Sequence, residues 1–453
     1  MTDNPERGAG EGGLDAPFRH PIAWREEAYY DLDAVEAELT RVFEICHGCR
    51  RCFNLCDAFP TLFDLIDNGR TGEIDGVDPA DYAKVDEACT LCDMCFMTKC
   101  PYVPPHEWNV DFPHLILRRR AAQRRKNGGH FVREQLGETD RNGKLAKHAA
   151  GLANWASDLS NKPVRSVMEA TLGIDRDAFL PRYHARTASD LLKDVPAPDP
   201  AGPAFGKRKA ALFLTCFSEY NAPAVATAAA AVLARQGVDM RLAYPVCCGM
   251  PQLEAGDLAE VADRARQASK ALLPLIEDGF DIVTLTASCG LMMKFEWPLI
   301  LPENDEVRRL SAATRDISQY VVELAKAHGL ADGLSAPAGG VTLHHACHQR
   351  AQNMGAVSRD MLRLIPGAKV DMVERCSGHG GTFGVMKGTH EIAVKVGRPA
   401  ARQGARAGNE TLCSDCPLAC RHLGQLVKAE LGADKAPRLA HPIEIMAQAY
   451  GLA

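Results

Sequence analysis

Apolar residues recur along this chain in two rhythms, and the change between them divides it. Val35, Leu39 and Val42 fall three and four residues apart behind Asp33, with Glu36 three residues beyond it. That pattern predicts a helix over residues 33–45 with Asp33 as its N-cap. Beyond residue 205 short apolar runs take over. Residues 210–215, 282–285 and 341–345 read as strands, while Leu258, Val261, Ala265 and Leu272 mark an amphipathic helix and the Ala-rich run 222–234 a buried one. Strands alternating with helices predict parallel α/β units.

Two breaks punctuate the pattern. Pro196, Pro198, Pro200 and Pro203 make residues 194–205 an extended linker, and a second break falls at 331–340. The segments after the linker read as copies of each other. Cys216, Cys247 and Cys289 in the first have counterparts Cys347, Cys376 and Cys416 in the second, at offsets of 131, 129 and 127 residues. In open α/β sheets chemistry gathers at the carboxyl ends of the strands, where these cysteines fall.

Composition narrows the class before chemistry does. With 46% hydrophobic and 24% charged residues over 453 positions the chain is expected to be globular, in two or three domains. No run reaches the roughly 18 uncharged apolar residues needed to cross a bilayer. A net charge of -6 gives no reason to expect nucleic acid. Residues 1–20 are Gly-rich and charged without an apolar core, so export is not expected and the location reads as cytoplasmic. The basic segment Arg118, Arg119, Arg120, Arg124, Arg125 and Lys126 is either a solvated helix face or a docking patch for an acidic partner or the inner face of a membrane. The acidic stretch 67–87 reads as a surface excursion.

Cysteine usage changes the picture most. Eight of 17 cysteines form two runs, Cys46, Cys49, Cys52, Cys56 and Cys89, Cys92, Cys95, Cys100, the second followed by Pro101. In a two-cluster ferredoxin arrangement three thiolates of each run hold one cluster and the fourth crosses to the other. One cluster would use Cys46, Cys49, Cys52 and Cys100, the other Cys89, Cys92, Cys95 and Cys56. Zinc competes for paired C-x2-C units, but a third cysteine at the same spacing suits a cubane corner better. Disulfides would need an oxidising compartment. Asp57 replaces the usual proline after the first run, and four residues rather than three separate Cys95 from Cys100. Both departures bear on loop geometry, not on ligand number.

Further along, Cys247-Cys248-Gly249-Met250-Pro251 pairs two cysteines whose Cα atoms are about 3.8 Å apart and can both reach one cluster. The second copy reads Arg375-Cys376-Ser377-Gly378-His379-Gly380-Gly381, with Cys413-x2-Cys416 downstream. Its glycine-rich turn either presents N-H groups to a sulfide or anion, or is a plain tight turn. His344, His345, His348 and His379 are weaker candidates for proton or hydrogen-bond donors, and Cys420 reads as a buried thiol or a spare ligand. No G-x-G-x-x-G opens a helix and no Walker sequence occurs, so no flavin or nucleotide is expected on this chain.

Together these motifs resemble the CCG-domain iron-sulfur oxidoreductase family, which includes the C subunit of anaerobic glycerol-3-phosphate dehydrogenase, the glycolate oxidase iron-sulfur subunit and the heterodisulfide reductase B subunit. Thr215-Cys216, Ser288-Cys289-Gly290-Leu291-Met292, Ala346-Cys347-His348, Gly380-Gly381-Thr382-Phe383-Gly384 and His441-Pro442-Ile443-Glu444 are similar to the glycerol-3-phosphate dehydrogenase branch. The resemblance implies an α-helical ferredoxin-like domain with two 4Fe-4S clusters over 33–126, after an extended or disordered 1–32. A connector over 127–205 would lead to CCG domains at 206–335 and 336–453. It implies a cubane or non-cubane cluster in each CCG domain, and electron transfer between a flavoprotein dehydrogenase or other redox partner and quinone. In heterodisulfide reductase relatives these domains cleave a disulfide, which would make Cys247, Cys248, Cys376 and Ser377 the catalytic set. The family pattern has five thiolates per domain. Thr286 leaves Cys216, Cys247, Cys248 and Cys289 in the first copy, and Ser377 leaves Cys347, Cys376, Cys413 and Cys416 in the second. A redox sensor with clusters in the N-terminal domain alone is the remaining alternative.

Overall fold

The structure is a computed structural model, in which residues 17–452 are described; residues 1–16, half of the segment expected to be extended or disordered, lie outside them. The chain divides into two compact units, Met1–Gly129 together with Glu254–Leu258, and His130–Leu253 with Ala259–Ala453.

The first unit is built on helices. Leu32–Cys49 carries Val35, Leu39, Val42 and Phe43 on its buried face, and Ala58–Asp67 answers with Phe59, Leu62 and Phe63. Asp31, not Asp33, caps the first of them: its Oδ1 accepts from the N-H groups of Asp33 at 3.0 Å and Ala34 at 3.2 Å. A carboxylate two residues before the first orphan donors can reach them, whereas Asp33 already lies inside the turn. Part of the acidic stretch expected at the surface packs inward. Tyr82 and Val85, on the helix Tyr82–Ala88, are buried, with the Tyr82 ring edge-on to Phe43 at 5.0 Å.

The basic helix Phe112–Asn127 buries Leu115, Ile116 and Leu117. Its guanidinium groups are largely consumed inside the unit. Arg119 and Arg120 both grip Asp86, Arg124 pairs with Asp257 at 2.6 Å, Arg125 with Glu27, and Arg118 donates to the Tyr29 carbonyl at 2.8 Å. The N-terminal segment is tied down in the same way. Arg19 spans Asp93 at 2.7 Å and Asp111 at 2.9 Å, with its guanidinium 4.4 Å above the Phe96 ring.

The second unit holds two four-stranded parallel sheets, the α/β pair expected from the sequence. In the first copy β1 (Lys209–Phe213), β2 (Asp239–Ala243), β3 (Asp281–Thr284) and β4 (Thr314–Asp316) lie in the order β2-β1-β3-β4. In the second, β5 (Val341–His344), β6 (Val370–Val373), β7 (Thr411–Ser414) and β8 (Arg438–Ala440) lie in the matching order β6-β5-β7-β8. One hydrophobic core serves both copies: Leu212, Val225, Val283 and Tyr320 pack in the same cluster as Leu343, Met361, Cys413 and Ile443. At about 1.5–3 kcal/mol per fully buried large side chain, such a core binds the copies into one cooperative unit.

The Pro-rich stretch belongs to this unit as well. Asp199 N-H bonds the Ala234 carbonyl at 2.8 Å, Ala204 N-H the Gln236 carbonyl at 2.9 Å, and Ala204 is fully buried, so the segment is packed rather than a free spacer. Among the described residues no helix is long and apolar enough to cross a membrane.

Candidate iron-sulfur sites

Each cysteine run of the first unit is wound by residues in unusual backbone conformations. Arg50, between Cys49 and Cys52, has φ +50°, while Leu91 and Asp93, flanking Cys92, have φ +48° and +64°. Left-handed non-glycine residues cost on the order of 1–3 kcal/mol each and persist only where the surroundings hold them. Here the holding groups are visible. Asp67 clamps the Arg50 guanidinium, Arg19 clamps Asp93, and Arg120 donates to the Cys89 carbonyl at 2.6 Å and the Asp86 carbonyl at 2.7 Å.

Several thiols of the two runs lie in one another's electrostatic fields. Cys46 lies in the electrostatic field of Cys100, Cys52 and Cys49, and Cys100 in that of Cys49. Cys95 lies in the field of Cys92, Cys89, Cys56 and Cys52. Burial first, and neighbouring cysteines second, push Cys52 up to about 12 and hold Cys46 and Cys95 well above the ordinary thiol range. Burial also raises Cys89, to about 11. Crowded thiolates repel one another unless a cation sits among them. Neighbouring thiols with no disulfide among the described cysteines are the donor type that iron-sulfur clusters take.

In the second unit the loops after β1, β2 and β3 bring a third set together. Register places Phe213, Ala243 and Thr284 side by side, so the chain leaves three neighbouring strands at one sheet edge. Cys216 and Cys247 sulfurs are 3.7 Å apart, Cys248 bonds both Cys247 and Cys289, and Cys247, Cys248 and Cys289 are buried. Hydrogen bonds from Cys216 and Cys248 draw Cys247 below the usual thiol range, while the same contacts raise Cys216 and Cys248. A shell drawn from the connector and from the copy itself supports them. Thr139 Oγ1 donates to Cys247 Sγ at 3.4 Å, Asp140 accepts the Cys247 N-H at 2.8 Å and the Tyr244 hydroxyl, and Trp297 Nε1 donates to the Cys248 carbonyl at 3.1 Å. None of these partners carried a sequence signal, because they lie 49 to 108 residues from the cysteines they hold.

The second copy is arranged differently from its sequence pattern. Phe213 faces Thr284 in one sheet as His344 faces Ser414 in the other, so the third strands match at an offset of 130. Thr286 and Cys416 are accordingly equivalent: each is the N-cap of the helix that follows. Cys289 then matches Ala419, and Cys413 matches Val283. Cys413 is fully buried among apolar side chains, and Cys420 directs its thiol at the Leu412 and Ala440 carbonyls, 3.5 and 3.7 Å away. Cys347, Cys376 and Cys416 follow β5, β6 and β7 at the shared edge, each partly exposed. Cys416 also lies in the field of Cys289, where Ala287 N-H bonds the Asp415 carbonyl at 3.2 Å. Ser377 is buried and accepts the His379 N-H at 3.3 Å.

Two glycines make the turns possible. Gly249 and Gly378 both have positive φ, +82° and +77°, and a Cβ on Gly378 would stand 1.9 Å from the Ala393 carbonyl oxygen. Of the weaker candidates, His344 bonds Ser414 at 3.0 Å and the Arg375 carbonyl at 3.1 Å, and His345 faces Glu374. His348 faces Ser288 of the first copy at 2.8 Å.

Comparison with known proteins recognises both copies. The cysteine-rich domain model CCG matches residues 210–294 and 341–422. The chain is 27% identical over 352 residues to the C subunit of anaerobic glycerol-3-phosphate dehydrogenase from Escherichia coli, covering 75% of this chain and 82% of that one. It is 29% identical over 421 residues to the B subunit of the fumarate reductase (CoM/CoB) of Methanothermobacter marburgensis, covering 89% and 72%. With lactate utilization protein A of Geobacillus kaustophilus it shares 32% identity over 192 residues, 40% of this chain and 76% of the relative. Cysteine sets at the carboxyl edges of two duplicated parallel sheets, matched by the domain model in both copies, make this chain a member of the CCG-domain family of iron-sulfur oxidoreductase subunits.

Proposed function

We propose that the chain is the electron-conducting subunit of a dehydrogenase or reductase, taking electrons from a flavoprotein partner and delivering them toward quinone or another acceptor. Two 4Fe-4S clusters would sit in the ferredoxin-like first unit, on Cys46, Cys49, Cys52 and Cys100 and on Cys56, Cys89, Cys92 and Cys95. A further cluster would sit in each CCG copy. The observation that carries this reading is the clustering of Cys216, Cys247, Cys248 and Cys289 at one sheet edge, in a chain that also carries two four-cysteine runs and no Walker sequence. Electrons must then enter and leave through other molecules. The names of two relatives, subunits of glycerol-3-phosphate dehydrogenase and of a fumarate reductase, support a partner of dehydrogenase or reductase type.

A bilayer contact through the basic helix draws little support, since Asp86, Asp257 and Glu27 already pair with Arg119, Arg120, Arg124 and Arg125. Disulfide reduction at the CCG sets is the second reading. Cys247 and Cys248 are buried at 1% and 3% exposure, which suits ligands better than groups meeting a bulky disulfide, whereas Cys376 is partly open.

The test is anaerobic purification with the native partner, followed by rapid mixing. A reduced flavoprotein should bleach the cluster absorption, and quinone should restore it. A chain that copurifies with no flavoprotein, and whose reconstituted complex reduces no acceptor, would end the proposal.

A further inference from the structure

We propose that the connector makes the two CCG sites unlike: the Thr139 hydroxyl donates to cysteine sulfurs of the first copy and raises the reduction potential of the cluster there, and of that cluster alone. The inference rests on the reading that the first CCG copy carries a cluster.

One hydroxyl serves two of the four thiols in the set. Thr139 Oγ1 donates to Cys247 Sγ at 3.4 Å and also bonds Cys216, whose sulfur is 3.7 Å from that of Cys247. A ligated sulfur carries no proton, so it accepts and the threonine donates. Taking up an electron adds one negative charge to the cluster, and a hydrogen bond to a more negative sulfur is stronger. The reduced state is therefore favoured and the potential rises.

The fold holds Thr139 in this place from three sides. Asp140, the next residue, accepts the Cys247 N-H at 2.8 Å and the Tyr244 hydroxyl, which pins the start of the helix Thr139–Ala146 to the loop after β2. The buried guanidinium of Arg264 lies 3.3 Å from Glu138, 3.7 Å from Asp140 and 2.8 Å from Glu260. One turn along the same helix, Gly143 meets Tyr220 of the helix Cys216–Tyr220, and a Cβ there would stand 2.2 Å from the ring. A larger residue at 143 would push the helix off the cysteines.

The second copy cannot repeat this arrangement, because the connector lies outside the duplication. Glu374 stands where Tyr244 does, one residue past the second strand, and faces His345 instead. What the copies share is a backbone bond, from Gly249 to Cys247 in the first and from Gly378 to Cys376 at 3.3 Å in the second. Thr139 is added to the first copy only.

The test is a redox titration of the full-length protein with its clusters, each followed by its EPR signal. T139V keeps the side-chain shape and removes the donor. It should retain wild-type iron content and shift one midpoint potential to a more negative value, that of the signal missing from a C247S variant. T139S should restore the midpoint. Unchanged potentials in T139V, several midpoints moving together, a shift in a signal that C247S keeps, or no recovery in T139S would overturn the inference. Loss of iron from T139V would make Thr139 a structural residue and overturn it as well. A C247S variant with wild-type iron content and spectra would overturn both this inference and the cluster in the first copy. A C247S variant that loses one cluster while T139V leaves every midpoint in place would overturn this inference alone.

Discussion

At the scale of single residues, two glycines at equivalent places in the copies are under different constraint. Gly249 has room for a side chain: the nearest atom to an added Cβ is Arg264 Cδ at 3.3 Å, the movable part of a flexible side chain. Gly378 faces the backbone carbonyl of Ala393 at 1.9 Å, which cannot move without breaking the helix Thr389–Ala407. Both have positive φ, so alanine costs about 1 kcal/mol or more at either position. G378A should cost at least about 2 kcal/mol beyond G249A, because overpacking against backbone adds its own penalty. Denaturant midpoints of the two variants measure the difference, and equal midpoints would refute it. Sequence alone marked both residues through the motif. It could not rank them, since the clash comes from a helix 15 residues away along the chain.

Among the elements, the helices that follow β4 and β8 show how one role is filled by different chemistry. Asp316 caps Ile317–His328 by accepting from Ser318 at 2.9 Å, and His441 caps Pro442–Ala449 by accepting from Ile443 at 3.2 Å through Nδ1. Burial holds His441 down at about 3, well below its ordinary range. The unfolded chain takes up a proton near pH 6.5 that the folded chain refuses until about pH 3. Stability from this group is therefore present above about pH 6.5 and is lost as pH falls, by about 1.4 kcal/mol per pH unit. H441N keeps a cap acceptor and removes the titration. Its denaturation midpoint should fall less steeply than that of the wild type between pH 6.5 and 5, and parallel curves would show that His441 does not control this dependence.

For the whole molecule, the consequence is that each unit has a core of its own. Phe43, Phe59, Leu62 and Ile116 stabilise the first, and the common core of the two sheets stabilises the second. The double variant C49A/C92A should lose about eight irons per chain, of about sixteen in a chain with four four-iron clusters, while the EPR signals of the CCG copies persist. Loss of all iron would mean that the cysteine sets do not assemble independently. Much of this organisation was readable in the chain itself. Helical and strand periodicities and the spacing within each cysteine run are local properties, determined by residues within a few turns of one another, and the duplication shows as the same local pattern met twice. Tertiary structure decided the rest. Thr139, Asp140 and Trp297 reach the CCG cysteines only through folding, and pairing in the sheets matches Cys416 to Thr286 where spacing had matched it to Cys289. Spacing counts residues along one chain, whereas a ligand's place is set by strand register and by the turn of a helix, and those exist only once the sheets have formed.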